Sequence, residues 1–354
     1  MSKKDDRRAR EARALYDAMA RYGLAGTGPP REKAAAIRPM EELLHIKELV
    51  KLPQPQRPAA KKHPAAPQAQ TRRTAKSNTP PGDALAELNA MIGLAAVKER
   101  VHLKAAQVEN IQARKAHGLP VPVSSHHMVF TGNPGTGKTT VARIVARIFA
   151  ELGLLEKGHL VETDRAGLVA PYVGQTEEKV CKVLAKARGG VLFIDEAYAL
   201  AKGHGGESDF GQDAINTILK AMEDQRDRLV VIFAGYGDEM EAFLDSNPGL
   251  RSRCQTFIAF PDYYPIELGL IFEKLCKENE FICTPDVTAK VLTLFKAMHA
   301  QRGKGFGNGR AARTVFETAW ARQALRLSGS RHSADVLKRL EAQDIPELSE
   351  VAGA

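Results

Sequence analysis

The sequence contains no long hydrophobic run and few aromatic residues. Phe, Trp and Tyr make up 6% of the 354 residues, and no apolar stretch approaches the roughly 20 residues that a membrane-spanning helix needs. The N-terminus reads MSKKDDRRAR, with charges where a signal peptide has an apolar segment. We therefore expect a cytoplasmic protein without a membrane partner.

Cysteine is also scarce. The four cysteines are scattered and form neither a CxxC pair nor a cluster with histidines: Cys181, Cys254, Cys276 and Cys283. Such spacing favours neither a zinc site nor a disulfide framework. We expect reduced thiols in or near hydrophobic cores.

Acidic residues are sparse at the N-terminus. Residues 1–81 contain 18 Lys and Arg against 8 Asp and Glu, whereas the remaining chain contains 33 against 34. Apolar spacing predicts helices over residues 5–22 and 31–51. Residues 53–81 contain seven prolines, six basic residues and no acid, so they cannot bury enough apolar surface to fold. The sequence predicts a helical arm over residues 1–52 and a disordered basic linker over residues 53–82.

From residue 83 onward, short apolar runs alternate with amphipathic segments. The runs are HHMVF, GHLVETD, GGVLFID and RLVVIFAG, and their alternation with helical patterns predicts a parallel sheet with helical crossovers. After FIAFPDYY only helical patterns follow, beginning near Pro265, Pro285 and Gly307. We expect an α/β domain over residues 83–262 and a small all-helical domain over residues 263–354.

The stretch VFTGNPGTGKTT follows a predicted strand and opens a predicted helix. It fits the phosphate-binding pattern GxxxxGK[ST], in which backbone N–H groups surround phosphates at the positive end of a helix. Lys138 is the expected ligand of the β- and γ-phosphates, and Thr139 that of Mg²⁺. The predicted cofactors are therefore ATP and Mg²⁺, and the nucleotide-binding stretch contains Gly132, Asn133, Pro134, Gly135, Thr136, Gly137, Lys138, Thr139 and Thr140.

Two carboxylates end the next strongly apolar strand, GGVLFIDEAYAL. Ligands of open α/β sheets bind at the carboxyl ends of the strands, where this strand places Asp195 and Glu196. Asp195 suits a role beside Mg²⁺, and Glu196 is the expected base that orients the attacking water. The alternative is a carboxylate pair that only caps the following helix. A base of this kind favours hydrolysis over transfer to an acceptor.

With these two motifs, residues 83–330 resemble the AAA+ ATPases, and closely the subgroup that contains stage V sporulation protein K and the red-type Rubisco activase CbbX. The resemblance rests on six stretches: LNAMIGLAAVKERV, MVFTGNPGTGKTTVARI, GHLVETDRAGLVAPYVGQT, GGVLFIDEAYAL, VVIFAGYGDEMEAFLDSNPGLRSR and FGNGRAAR. It implies a P-loop AAA+ module followed by a helical lid. It also implies a ring, most often a homo-hexamer, that remodels a protein client.

The resemblance implies roles for further residues. The segment MIG covers the adenine, with Ile92 and Gly93 as contacts, and plain packing is the alternative for it. NPGLRSRC supplies an arginine finger to the neighbouring subunit, with Arg253 as first choice and Arg251 as second. Arg310 senses the γ-phosphate from the lid, with Arg313 as fallback. Tyr236 stands where this family has sensor 1, which is usually Asn or Thr, although a phenol can also donate a hydrogen bond.

The turn APYVGQT follows the second strand of the module. In ring-forming members of the family an aromatic–aliphatic–glycine turn at this place lines the central pore, and Tyr172, Val173 and Gly174 match it in order. A flat ring contacts any polypeptide by stacking and apolar contact without requiring a sequence. The alternative is that Tyr172 packs between subunits or onto its own domain.

Two other functions compete with protein remodelling. A DNA-directed ATPase would use the basic arm on phosphates, but no aromatic residues for base stacking occur in the linker. A monomeric P-loop kinase is disfavoured by Glu196 and the finger arginines. The sequence identifies neither the client nor an effector. We expect residues 1–81 to recruit the client or an adaptor, with nucleic acid an unlikely partner.

Overall fold

The structure is a computed structural model that describes residues 83–122, 124–172, 174–201, 210–329 and 331–351. They belong to one compact unit, Asn78–Ala354. The N-terminal helices and the linker predicted for residues 1–82 lie outside the described residues, as does Val173 of the predicted pore turn. In the part that is described, no helix is both long and apolar enough to cross a bilayer.

Five parallel strands form one sheet in the order β2-β3-β4-β1-β5. Each lies at or within a segment that the sequence pattern predicts, although β2, with the sequence LVET, is only half apolar. Their bounds are Met128–Thr131 (β1), Leu160–Thr163 (β2), Val191–Ile194 (β3), Val230–Gly235 (β4) and Thr256–Ala259 (β5). β3 and β4 are buried along their whole length, as expected for parallel strands covered by helices on both faces.

Helices cover both faces of the sheet. Their bounds are Ala84–Ala90 (α1), Ala95–Ala116 (α2), Lys138–Glu151 (α3), Arg165–Leu168 (α4), Gln175–Ala187 (α5), Phe210–Asp224 (α6), Gly237–Asp245 (α7) and Pro248–Arg253 (α8), with a 3₁₀ helix at Ala197–Leu200. Alternate strand residues enter two separate cores, Phe130 and Phe193 on one side, Val129 and Leu192 on the other.

The register brings three strand ends together. Thr131 of β1 pairs with Gly235 of β4, and Ile194 of β3 pairs with Phe233 of β4. The loop after β1, the carboxylates after β3 and the residue after β4 therefore meet at one edge of the sheet. This edge is where ligands of open α/β sheets bind.

The chain after β5 is helical, as predicted. Its elements are Pro265–Glu278 (α9), Pro285–Ala300 (α10), Gly309–Arg326 (α11), Ala334–Leu337 (α12) and Leu348–Val351 (α13), with a 3₁₀ helix at Ala342–Asp344. Proline at the first position of α9 and α10 is favourable because that N–H needs no intrahelical partner. Phe272, Phe295 and Phe316 fill the centre of this lid and join the core beside α3.

The cysteine expectation is wrong at one position. Cys254 and Cys276 are buried and Cys283 is partly buried, but Cys181 is exposed. On α5 the buried residues are Thr176, Val180, Leu184 and Ala187, a stripe three to four residues apart. Cys181 follows Val180 directly and is therefore rotated about 100° away from that stripe.

A buried histidine joins the start of β1 to its neighbours. The Nδ1 atom of His127 accepts a hydrogen bond from the Val231 N–H at 3.0 Å, and Nε2 lies 3.1 Å from the Met222 carbonyl oxygen. These partners fix the neutral tautomer with the proton on Nε2. Burial lowers the pKa of both His127 and the adjacent His126 to about 4.

Acid should therefore destabilise the fold as the pH falls below about 6.5, the ordinary pKa of histidine. Between pH 6.5 and pH 4 the unfolded chain binds protons on these two histidines that the folded chain does not. The free energy of unfolding therefore decreases as the pH is lowered. We expect a loss of about 2 kcal/mol per histidine at pH 5 relative to pH 7.5. Urea unfolding at several pH values measures it. His127→Gln should lose less stability in acid than the parent chain, and an equal loss would contradict the assignment.

Candidate active site

The loop between β1 and α3 is shaped by close backbone contacts. Gly132 has a φ of +150°, and an added Cβ would collide with the carbonyl oxygen of Phe260. Gly137, with a φ of +96°, directly precedes α3. Because the first N–H groups of a helix lack intrahelical partners, the loop presents backbone donors at the positive end of α3. This arrangement suits an anion.

Lys138 is the first residue of α3 and turns its ammonium group toward this loop. Its Nζ atom donates hydrogen bonds to the carbonyl oxygens of Gly132 at 2.7 Å and Asn133 at 2.9 Å. Burial lowers the pKa of Lys138, Asp195 and Glu196 oppose the shift, and Arg310 adds to it. The ammonium is thus partly removed from water, and a bound polyphosphate would stabilise its charge.

A cavity of about 310 Å³ lies over the loop, and we call it the nucleotide cavity. It brings together residues from the three strand ends and the lid. Its lining contains Gly132, Pro134, Gly135, Gly137, Lys138, Thr139, Thr140, Asp195, Glu196, Gly235, Tyr236, Gly309, Arg310 and Arg313. Asn133 and Thr136 of the predicted stretch do not line this cavity. Thr136 is buried, and its hydroxyl donates a hydrogen bond to the Asn133 carbonyl oxygen at 2.8 Å.

The two carboxylates follow β3 directly. Asp195 is half-buried, while Glu196 is exposed and has left-handed backbone angles, with φ at 48° and ψ at 41°. Such angles are uncommon for a residue other than glycine and cluster at functional sites. Glu196 precedes the 3₁₀ helix, but its side chain makes no capping hydrogen bond. The geometry therefore gives no support to the capping alternative.

Tyr236 follows β4 and lines the nucleotide cavity. Its ring lies 6.0 Å from that of Tyr198, centroid to centroid. Burial, with Glu196 next in effect, raises the pKa of Tyr198 to about 12, so this phenol keeps its proton at neutral pH. Glu196 and Tyr236 thus line the cavity together, with the Tyr198 ring beside that of Tyr236.

The lid contributes cations to the same cavity. Arg310 and Arg313 lie one turn apart in α11, and both line the cavity, so its lining does not choose between them. The backbone N–H of Gly309 donates to the Gly135 carbonyl oxygen at 3.0 Å, which joins the lid to the loop directly. Both lid residues considered from the sequence therefore lie at the wall of the nucleotide cavity.

The segment predicted to cover the adenine lies beside the loop. Met91 lies close to Gly137, with its Cε atom 3.5 Å from where a Cβ would be. Ile92 and Gly93 are half-buried and do not line the nucleotide cavity. An added Cβ at Gly93 would collide with the carboxylate of Glu267 in α9. The adenine contact stays a prediction, with the segment placed next to the phosphate loop.

The two predicted finger arginines lie on α8, and neither lines the nucleotide cavity of its own chain. Arg251 is exposed and donates to Asp245 at 2.6 Å and Glu241 at 2.8 Å. Arg253 is less exposed, and its Nε atom lies 3.4 Å from a Glu223 carboxylate oxygen without hydrogen-bond geometry.

Tyr172 stands on the turn before α5 and is 68% exposed. Gly174 caps that helix with a φ of +78°, a conformation that other residues rarely adopt. Such exposure excludes the alternative in which Tyr172 packs onto its own domain in this structure. Packing between subunits remains an alternative to the pore role.

Sequence reasoning missed several residues that surround the site. They are Tyr198, Asp262, Tyr263, Glu267 and Asn308. Tyr198 follows the carboxylate pair by two residues, and the run FPDYY directly follows the last strand, so both lie next to segments that the sequence pattern identifies. Asn308 gave a weaker signal, as a cap residue immediately before Gly309 and Arg310.

Comparison with known proteins gave matches over most of the chain. Residues 128–262 match the model of the ATPase family associated with various cellular activities (AAA), and residues 264–352 match that of the AAA lid domain. Stage V sporulation protein K of Bacillus subtilis is 40% identical over 270 residues, which is 76% of this chain and 83% of that protein.

Two further relatives come from other organisms. Protein CfxQ of Xanthobacter flavus is 44% identical over 71% of this chain and 78% of its own length. The chloroplastic ribulose bisphosphate carboxylase/oxygenase activase of Cyanidioschyzon merolae is 43% identical over 72% of this chain and 87% of its own length. These matches confirm the resemblance and the fold class that the motifs predict.

Proposed function

Because the chain belongs to the AAA family of ATPases, we propose that it hydrolyses ATP in a ring of six identical subunits. The energy is used to remodel a protein client that is drawn into the central pore. The observation that carries the ATPase part is the nucleotide cavity, where the phosphate loop, two carboxylates, Tyr236 and the lid arginines converge.

The phosphate loop binds the polyphosphate of ATP. Its backbone N–H groups and the Lys138 ammonium neutralise the phosphate charges, and Ile92 and Gly93 contact the base from the adjoining segment. Thr139 and Asp195 line the same cavity and offer a hydroxyl and a carboxylate, the hard oxygen donors that Mg²⁺ prefers. Bound with ATP, Mg²⁺ would supply charge neutralisation at the phosphates. These donors therefore fit a magnesium–nucleotide complex.

Hydrolysis requires a water aligned with the γ-phosphate. Glu196 accepts a proton from that water or orients it, and Tyr236 donates a hydrogen bond as sensor 1. Arg310 contacts the phosphate from the lid. Arg253 of one subunit enters the cavity of the next, where its guanidinium stabilises the charge that develops on the γ-phosphate.

The exposed ring of Tyr172 supports the coupling to a protein client. A large aromatic side chain that is 68% exposed gains by burial against any extended polypeptide. We infer that the motif Tyr172-Val173-Gly174 binds the client without selecting a sequence. Residues 1–81 or the outer face of the ring would then carry the specificity, because the pore has none.

Replacing Tyr172 tests the client part separately from the ATPase part. We expect Tyr172→Ala to weaken the binding of fluorescein-labelled casein in the presence of ATP by about tenfold or more, because a buried aromatic contact is lost. ATP turnover without casein should stay within about twofold, because Tyr172 is absent from the nucleotide cavity.

Tyr172→Phe is the matched control, since it keeps the ring and loses only the hydroxyl. It should bind casein like the parent chain. Unchanged casein binding by Tyr172→Ala would refute the pore role. A parallel loss of casein-free ATP turnover would instead indicate that Tyr172 packs between subunits.

A further inference from the structure

Asp262 lies in the segment of residues 260–264 that connects β5 to α9, and we call this the hinge segment. Two asparagine side chains converge on its carboxylate. The Nδ2 atom of Asn133 donates to Oδ1 at 2.9 Å and lies 3.1 Å from Oδ2, while the Nδ2 atom of Asn308 donates to Oδ1 at 2.7 Å. The carboxylate thus joins the phosphate loop to the start of lid helix α11 at the hinge itself.

Asn308 is fully buried and has a backbone conformation that favours glycine, with φ at 50° and ψ at −119°. Asparagine before a helix normally caps it with its side chain, but here the side chain makes no capping hydrogen bond. Its Oδ1 atom accepts from the Tyr263 N–H at 2.8 Å, and its Nδ2 atom also donates to the Phe306 carbonyl oxygen at 2.9 Å. The side chain therefore bonds to the hinge segment and to its own loop, and its Nδ2 atom also lies 3.3 Å from the Pro134 carbonyl oxygen of the phosphate loop.

The loop that contains Asn308 and the phosphate loop are in backbone contact. An added Cβ at Gly135 would collide with the carbonyl oxygen of Gly307, and the Gly309 N–H donates to the Gly135 carbonyl oxygen. Arg310 follows Gly309 directly and lines the nucleotide cavity. The position of Asn308 thus fixes where helix α11 starts and where the Arg310 side chain is projected.

The backbone carbonyl and the side-chain amide of Asn133 have different partners. Its carbonyl oxygen accepts hydrogen bonds from Lys138 Nζ and from the Thr136 hydroxyl, both within the phosphate loop. Its side-chain amide meets Asp262. Asn133 thus connects the interior of the phosphate loop to the hinge carboxylate, and the same carboxylate accepts a hydrogen bond from Asn308.

We propose that Asp262, through Asn133 and Asn308, is a positioning residue that ties occupation of the phosphate loop to the placement of Arg310 by the lid. The proposal rests on the proposed function, because it takes the nucleotide cavity to be the ATP site. A hinge that only connects two domains needs no carboxylate with donors from both of them. Here the carboxylate accepts a hydrogen bond from each side of the junction.

The test measures nucleotide binding and turnover on the full chain. We expect Asp262→Ala to raise the dissociation constant for a fluorescent ATP analogue about tenfold and to lower kcat, the size typical of coupling between sites. Arg310→Ala should have a similar effect. The double variant should bind no more weakly than Arg310→Ala alone, because Arg310 is already misplaced without Asp262.

Conservative and matched variants separate positioning from folding. In Asp262→Asn the side-chain oxygen can still accept a hydrogen bond from Asn308, so this variant should bind the nucleotide more tightly than Asp262→Ala does. Asp238→Ala removes the Lys304–Asp238 ion pair, whose two side chains are 79% exposed, and should leave binding unchanged. If Asp262→Ala does not fold, Asn133→Ala serves in its place, since its backbone carbonyl remains available to Lys138.

The outcomes are distinguishable. A parent chain that binds no nucleotide overturns the proposed function. A parent chain that binds, with Asp262→Ala and Asn133→Ala binding equally well, overturns the positioning role alone. Effects of Asp262→Ala and Arg310→Ala that multiply in the double variant also overturn it, because independent sites behave in that way.

Discussion

Glu196→Gln should lower ATP turnover by about 10²- to 10⁴-fold and leave ATP binding within a few-fold of the parent chain. Glutamine keeps the size of the side chain but cannot accept a proton from water at neutral pH. Glu196 is exposed and its side chain makes no capping hydrogen bond, so we expect the substitution to leave the fold intact. Phosphate release under saturating Mg-ATP measures turnover, and a fluorescent ATP analogue measures binding.

Glu162→Gln provides the matched control. Glu162 lies in β2 and is exposed, and its ion pair with Arg143 is 3.9 Å long between exposed side chains, so it contributes little. This variant should turn over ATP at the parent rate. Turnover by Glu196→Gln at more than a tenth of the parent rate would show that another group activates the water, and the neighbouring tyrosines would be the first candidates.

The same variant should trap clients. A chain that binds ATP without hydrolysing it stays in the ATP state and retains whatever its pore has gripped. Affinity capture with Glu196→Gln, with and without residues 1–81, therefore tests the proposal that this segment recruits the client or an adaptor. If the same proteins are captured with and without residues 1–81, the ring itself determines client specificity.

The nucleotide motifs could be predicted because each is contiguous in sequence. The glycines before Lys138 determine a turn, and the apolar run from Val191 to Ile194 determines a buried strand that ends at Asp195. Parallel strands bring their carboxyl ends to one edge, so the meeting of these two motifs followed from fold class. The structure places both in one cavity.

The hinge network could not be predicted in the same way. Asn133 and Asp262 are 129 residues apart, and Asp262 and Asn308 are 46 apart, so no local pattern joins them. The sequence does not reveal that Asn308 has a positive φ, because asparagine before a helix usually caps it. The exposure of Cys181 was missed for a related reason: a one-residue shift on a helix changes the face.

The choice between the finger arginines also depends on contacts that a motif does not contain. Arg251 already pairs with Asp245 and Glu241, and these partners raise its pKa. To reach a neighbouring phosphate it would have to release two carboxylates. Among the described residues Arg253 has one carboxylate within 4.0 Å, that of Glu223, and its Nε atom has no hydrogen-bond acceptor. Its Nη1 atom donates long hydrogen bonds, at 3.5 Å each, to the Gly249 carbonyl oxygen and the Ser252 hydroxyl. Its guanidinium would therefore have to release one carboxylate instead of two before it contacts a partner outside its own chain.

Arg253→Ala should lower ATP turnover by about 10³-fold or more, as measured arginine fingers do, while the chain still binds ATP. Because the finger acts on the neighbouring subunit, mixing should restore activity. Lys138→Ala is inactive for lack of a phosphate ligand but retains Arg253. In a random equal mixture of the two, about a quarter of the subunit interfaces pair an intact phosphate loop with an intact finger. Turnover should rise accordingly above that of either variant alone.

Arg251→Ala is the control in the same assay and should lose much less activity, because its guanidinium is held by its own chain. A larger loss for Arg251→Ala than for Arg253→Ala would reverse the assignment. A chain that stays monomeric at high concentration with ATP and still turns it over at the full rate would remove the need for any neighbour. Since neither arginine reaches the nucleotide cavity of its own chain, the recovery of turnover on mixing is the measurement that decides whether these sites are shared.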